Sequence, residues 1–320
     1  MTQDRAAQLQ HTLVSRLKMR HLVLLQQIEQ HGNLSRVAHQ MQLSQPAITK
    51  ALREVEDIFM TQLFDRGSRG LKATAAGVAA LQYAHLTLAD MESVAHTLTA
   101  IDTGMSGRMR IGLTPQVPEA IRNAAFTHLL GQSPRVAVVA REGTTDELVA
   151  ALASRELDCA IGRSFQDTGS DIVQEPIYAQ EACLIVPVRS RSRLSRGPLD
   201  WARLARLDWV FPPSNTPMRR TFNALFLSAG VQPPSPIMET TSIRAIETVL
   251  SLEPNSISIL ASDVVTDMTQ RGGCSALPYR ISLNLPPVSL FAARHMVAHP
   301  MMQSLSAVIR RAASGLYRTG

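Results

Sequence analysis

From Arg16 to Gln30 the apolar positions Leu17, Leu22, Leu25 and Ile28 recur at helical spacing, and the run stops at Gly32 with Asn33 placed to cap the next helix. Leu34, Val37, Ala38 and Met41 then form one stripe of a short helix. After Gln42-Leu43-Ser44 a second stripe, Ala47, Ile48, Ala51, Leu52, Val55, Ile58 and Phe59, predicts a longer helix. Ser44 sits at its N-cap and Pro46 in its first turn, where a missing N–H costs nothing. Two helices joined this tightly cross steeply and share a small core, the helix-turn-helix arrangement. The second leaves Gln45, Thr49 and Arg53 on one polar row and Pro46 and Lys50 on the next. Residues 1 to 15 are polar and aperiodic and read as a frayed extension.

The polar row has chemistry that a solvated face does not need. Gln pairs bidentately with adenine, Lys or Arg with guanine, and Thr with several base edges. The candidate DNA-contacting set on this helix is Ser44, Gln45, Pro46, Thr49, Lys50 and Arg53. Next, the β-prone runs QLFDR and GLKAT flank a Gly-Ser-Arg-Gly turn and predict a basic-tipped hairpin. Arg66, Arg69 and Lys72 there would lie against phosphates or enter a minor groove, unless the hairpin is merely solvated. From Thr74 to Thr103 the chain lacks proline, and Leu81, Ala84, Leu88, Met91, Ala95 and Leu98 make a heptad seam. The seam predicts a long helix paired with a copy of itself; a single amphipathic helix on its own domain is the alternative. Gly104 and Gly107 supply a flexible joint.

Beyond Gly107 the pattern changes to short β-branched runs, among them RMRIGLT, RVAVVARE, LDCAIGR, ACLIVPV and SISILAS, most of them separated by helical patterns. Alternating strand and helix predict an α/β fold with a mainly parallel sheet, here two lobes and a cleft. Ligands of such sheets bind beyond the carboxyl ends of the strands. Those ends carry Thr114 and Pro115, then Gly143, Thr144 and Thr145, then Arg163, then Ser214, Asn215 and Thr216 ahead of a helix. Hydroxyls, an amide, helix N-termini and one arginine favour a small anion, most simply a carboxylate. Helix capping accounts for the threonines equally well, Arg163 could pair with Glu142 or Asp146, and PPSNTP could be a rigid turn.

Composition narrows the picture. The net charge of +6 favours an anionic partner without requiring one, but all three lysines, Lys18, Lys50 and Lys72, fall in the helical N-terminal part. Cys159, Cys183 and Cys274 lack the spacing of a zinc or redox site and read as small buried hydrophobes, and the N-terminus has no apolar export segment. No run approaches a bilayer span, so the expected compartment is the cytoplasm, with no membrane partner. The sequence has no G-x-S-x-G, glycine-rich phosphate loop or H-E-x-x-H, so no catalytic residue, metal ligand or cofactor is assigned and the chain is not read as an enzyme. Of the nine histidines, His11, His21, His31, His39, His85 and His96 are expected at the surface of the helical region.

The contiguous run RHLVLLQQIEQHGNLSRVAHQMQLSQPAITKALREVEDIFMTQLFDRGSRGLKATAAG resembles the DNA-binding region of LysR-type bacterial transcriptional regulators. GRMRIGLTP, EGTTDELVAALASRELDCAIGR and the segment near SLFAAR resemble their periplasmic-binding-protein-like effector domain. WVFPPSNTPMRR looks like a branch that includes regulators of sugar uptake and aromatic-acid catabolism. The resemblance implies an α+β multidomain protein: extension 1–15, winged helix-turn-helix 16–74, linker helix and hinge 75–107, and a two-lobed α/β effector domain 108–320. Lobe I would hold about 108–183 and 288–320, and lobe II about 184–287. It further implies a homotetramer, a dimer of dimers, that grips and bends an imperfect palindrome of double-stranded DNA. A small-molecule inducer, an organic acid or sugar-derived metabolite, would change the bend and so act on RNA polymerase. Gln45, Pro46, Thr49 and Lys50 take base-contacting places in the motif, Arg66 and Arg69 wing places, and Thr114, Thr144 and Arg163 places that line the effector cleft. Lys50 stands where arginine is frequent, so a bidentate guanine contact is not implied there. The rival reading is an α/β solute-binding or enzymatic domain with an incidental helical N-terminus.

Overall fold

The first element is a helix that apolar patterning does not announce. Strong helix formers, Ala6, Ala7, Gln8, Leu9, Gln10 and Leu13, carry α1 from Thr2–Arg16, where a frayed extension was expected. Leu9, Thr12 and Leu13 are half-buried, and α1 packs against the fourth helix, which gives the short stripe a partner. The computed structural model describes residues 2–67, 70–102, 105–164, 168–214, 216–281 and 285–316. The chain forms two units, Met1–Thr99 and Ala100–Gly320.

In the first unit, α2 (Met19–His31), α3 (Leu34–Gln40) and α4 (Gln45–Phe59) precede a hairpin of β1 (Phe64–Gly67) and β2 (Gly70–Ala73). Gly32 ends α2 at φ 61°, a conformation that costs a side chain dearly, and Asn33 caps α3 by accepting the Ser35 N–H at 2.8 Å. Leu22, Leu25, Val37, Ile48, Leu52 and Val55 make the shared core. His21 is a correction: it is 2% exposed rather than at the surface, because its Nδ1 accepts the Lys18 N–H at the start of α2. Burial holds its pKa below the ordinary histidine value.

The helix α5 (Ala75–Asp102) is long, as expected, but the N-terminal half of the expected heptad seam is taken up by its own domain. Leu81 and Ala84 are buried in the core of the first unit, with Leu88 packed against it. Of the expected seam, Met91, Ala95 and Leu98 stay exposed in the C-terminal half, beside the exposed Val94 and Ile101. Residues that one domain's core already occupies are not free to pair with another chain.

The second unit is two α/β lobes. Lobe I contains β3 (Gly107–Leu113), α6 (Glu119–Leu130), β4 (Val136–Glu142), α7 (Thr145–Ala153), β5 (Cys159–Gly162) and β6 (Ile172–Tyr178). Lobe II comes next with β7 (Ala182–Pro187), α8 (Val188–Leu194), α9 (Trp201–Leu204), β8 (Asp208–Phe211), α10 (Pro217–Ser228) and β9 (Met238–Glu239). It continues through α11 (Ile243–Leu252), β10 (Ser256–Ala261), α12 (Ser262–Arg271) and β11 (Cys274–Ala276). The chain then returns to lobe I as β12 (Val288–Ala293) and α13 (Pro300–Leu316).

The sheet orders are β4-β3-β5-β12-β6 and β11-β7-β10-β8-β9. Both sheets are mixed, which corrects the expectation of a mainly parallel one. The returning β12 runs antiparallel to β5 and β6, and β7 antiparallel to β10 and β11. Periodicity cannot reveal this, because a strand buried on both faces reads as one apolar run whichever way it points. In β12, Leu290 and Ala292 face α6 and α13 while Phe291 faces α7. Cys159 and Cys274 are buried and free, and burial pushes the Cys159 thiol far up. Among the described residues no helix is long and apolar enough to cross a membrane.

Candidate nucleic-acid interface and ligand cleft

The α4 helix is amphipathic, so burying Ile48, Leu52, Val55 and Ile58 fixes which residues face outward. Gln45, Pro46, Lys50 and Arg53 are exposed, and with half-buried Thr49 they line one shallow depression. Ser44 is taken up by capping, its hydroxyl accepting the Ala47 N–H at 3.3 Å. Thr49 donates its hydroxyl to the Gln45 carbonyl at 3.0 Å. The Arg66 backbone lies in β1 opposite Leu71. Its side chain and Arg69 lie outside the described residues.

The hairpin is fixed to α4 by a group that pattern reading passed over. Glu56 Oε1 accepts the N–H groups of Leu63 (2.9 Å) and Phe64 (3.2 Å), so the last turn of the helix holds the first strand. The second strand is held by the Leu71 N–H bonding the Gly32 carbonyl at 2.9 Å. Acidic Glu56 on a basic unit reads as a solvated charge in one dimension.

In the second unit the two lobes enclose a cleft of about 720 Å³. Thr114, Pro115, Thr144, Arg163 and Thr216 all line it, so five residues from four separate stretches come together. Ser214 is exposed and off the wall, its N–H 3.4 Å from Glu239 Oε2, and Asn215 lies outside the described residues. Two of the threonines are already engaged. Thr144 caps α7 in a capping box with Glu147, and Thr216 accepts the Arg219 N–H at 3.3 Å and donates to the Pro213 carbonyl at 2.7 Å. Bonding to Thr144 holds the Glu147 carboxyl below its ordinary pKa. Thr145 accepts the Arg163 N–H at 3.1 Å, which pins the end of β5 to the start of α7.

Arg163 itself is only 7% exposed, yet among the described residues it pairs with neither Glu142 nor Asp146. One Nη2–H donates to the Gln180 Oε1, and Nε has no hydrogen-bond partner. Burial lowers the Arg163 pKa, with Tyr178 and Asp263 opposing that shift. Arg163 borders the cleft, and a carboxylate best complements a desolvated guanidinium there because it can take two N–H groups at once. The apolar wall opposite includes Val210, Met218, Ile246 and Leu260. The reading of single positions missed Gln180, Tyr178 and Asp263, because their link to Arg163 joins stretches too distant for any spacing to show.

Two family models match the chain. "Bacterial regulatory helix-turn-helix protein, lysR family" covers residues 19–78 and "LysR substrate binding domain" covers residues 102–314. Among curated proteins, the HTH-type transcriptional regulator GbpR of Azospirillum brasilense is 27% identical, over 94% of this chain and 88% of that one. The regulator PcaQ of Agrobacterium fabrum is 23% identical, over 94% and 97%. Among solved structures, full-length CbnR complexed with its target DNA shares the fold at a TM-score of 0.62 and 20% identity, covering 92% of this chain and 100% of that one.

Proposed function

Since the chain belongs to the LysR family of DNA-binding transcriptional regulators with an effector-binding domain, we propose that α4 reads an imperfect palindrome in the major groove and that the inter-lobe cleft takes a small carboxylate inducer. The observation that carries the inducer half is the buried Arg163 on the cleft wall, bonded to the neutral Gln180 amide. A hydroxyl-bearing or aromatic organic acid, or a sugar-derived acid, suits a cleft with one guanidinium, threonine hydroxyls and an apolar wall. The exposed Met91, Val94, Leu98 and Ile101 of α5 support pairing of two chains along that helix. Assembly into a dimer of dimers, action on RNA polymerase and residence in the cytoplasm belong to the family reading. Domain bounds of 16–74, 75–107 and 108–320 are part of the proposal, although α1 (Thr2–Arg16) and β3 (Gly107–Leu113) each cross one of them.

Footprinting on the DNA upstream of its own gene, at two salt concentrations and with a panel of carboxylates, tests the whole reading. The expected result is a protected stretch of several helical turns that one acid shortens or shifts; absent protection at both salts sinks it. Gln45→Ala should weaken operator binding by about 1–3 kcal/mol and relax preference at one base pair, with the salt slope unchanged. An unchanged base preference would show that Gln45 does not read the operator. Arg163→Met should leave operator binding intact and reduce affinity for the active carboxylate by about 10- to 100-fold. Full retention of the response by that variant would remove Arg163 from the site.

A further inference from the structure

Arg163 faces the cleft in a way set by a neighbour rather than by its own rotamer. Gln180 stands where the chain passes from lobe I to lobe II. Its Nε2 donates to both Asp263 carboxylate oxygens, at 2.7 and 2.9 Å, and lies 3.3 Å from the Tyr178 hydroxyl. Tyr178 in turn donates to Asp263 Oδ2 at 2.7 Å. A carboxylate only accepts, so Asp263 forces the NH₂ end of the Gln180 amide toward itself. The amide oxygen is then left for Arg163. Asp263 lies in the first turn of α12, where the helix N-terminus favours its negative charge.

The consequence is chemical. A neutral acceptor holds Arg163 in place without neutralising it, whereas a carboxylate at the same position would have consumed the charge. The guanidinium keeps its positive charge on the cleft wall. Arg163 and Tyr178 belong to lobe I and Asp263 to lobe II, so this chain of bonds is also a link between lobes.

We propose that Gln180 is the positioning residue of the inducer site: locked by Asp263 and Tyr178, it presents Arg163 to a ligand carboxylate and transmits capture of that carboxylate to α12 of lobe II. This rests on the inter-lobe cleft being a carboxylate site. Gln180 also lines the cleft, and its proposed role is exercised through Arg163.

The test is calorimetric titration of the full-length chain with three pairs of probes: pyruvate and pyruvamide, gluconate and gluconamide, benzoate and benzamide. The quantity read is the preference for each acid over its amide. The unsubstituted chain should prefer at least one acid. Gln180→Ala should cut that preference by about tenfold while amide binding stays the same, a split that a loss of folding does not produce. Gln180→Glu should abolish the preference, because it offers Arg163 an internal carboxylate. Asp263→Asn, nearly isosteric, should lower it as well, by freeing the amide to turn over. If both Gln180→Ala and Asp263→Asn keep the full acid preference, the positioning role is wrong and the carboxylate cleft stands. If the unsubstituted chain prefers none of the three acids, the carboxylate reading of the cleft falls, and the role of Gln180 with it.

Discussion

Asp158→Ala is expected to cost the effector domain about 3 kcal/mol, because it strands a guanidinium that is only 15% exposed. Asp158 is 5% exposed and accepts from Arg110 through both oxygens: Nη2 at 2.6 Å, Nε at 3.2 Å and the backbone N–H at 2.7 Å. Without it Arg110 keeps the Arg155 carbonyl, at 2.7 Å, which satisfies a donor and leaves the charge unmet. Unfolding by heat should show the effector-domain transition lower by roughly 10 °C, at the usual 2–4 °C per kcal/mol for a domain this size. The double variant Arg110→Met, Asp158→Leu should recover part of the loss, since it removes the stranded charge while the residue-110 backbone N–H still lacks its acceptor. Equal losses in the single and double variants would mean that packing, not the stranded charge, sets the cost.

Gly77→Ala should be harmful although alanine is the better helix former by about 1 kcal/mol. A Cβ at Gly77 would stand 2.0 Å from the Leu63 carbonyl oxygen and 3.0 Å from its carbon. That oxygen is fixed by the Thr74 N–H at 2.9 Å and the Thr74 hydroxyl at 3.2 Å, so relief requires moving the hairpin off the start of α5. Overpacking against backbone of this kind costs about 3 kcal/mol. Operator binding measured by fluorescence anisotropy should fall steeply, while the effector-domain melting transition stays where it was. A gain in stability of the first unit would show that the hairpin yields freely.

The α3–α4 pair was legible because its signals are local: a capping Asn33, a capping Ser44, Pro46 in the first turn and a stripe that three-dimensional packing then buries. The heptad in α5 was legible as helix, and its N-terminal half was misleading as interface. Leu81 and Ala84 meet the spacing rule, but the rule is blind to the core of the adjoining domain that claims them. In the same way Thr144 and Thr216 were found because strand ends are conspicuous, though both spend their hydroxyls on caps. What stayed hidden depends on pairs far apart in the chain. The Asp158 carboxylate with Arg110 and Gln180 with Asp263 leave no periodic trace, and neither does the nearer bond of Glu56 to the hairpin.

The return of β12 into lobe I constrains how the chain is made. Tyr178 pairs with Val288, so β6 lacks its inner neighbour until lobe II has been translated and β12 has left the ribosome. During that interval the nascent chain carries an open strand edge beside an unfinished core, a target for holdase chaperones and for stray pairing with other emerging copies. Translation rate across the lobe II codons, which touches no residue of lobe I, therefore sets how long that edge stays open.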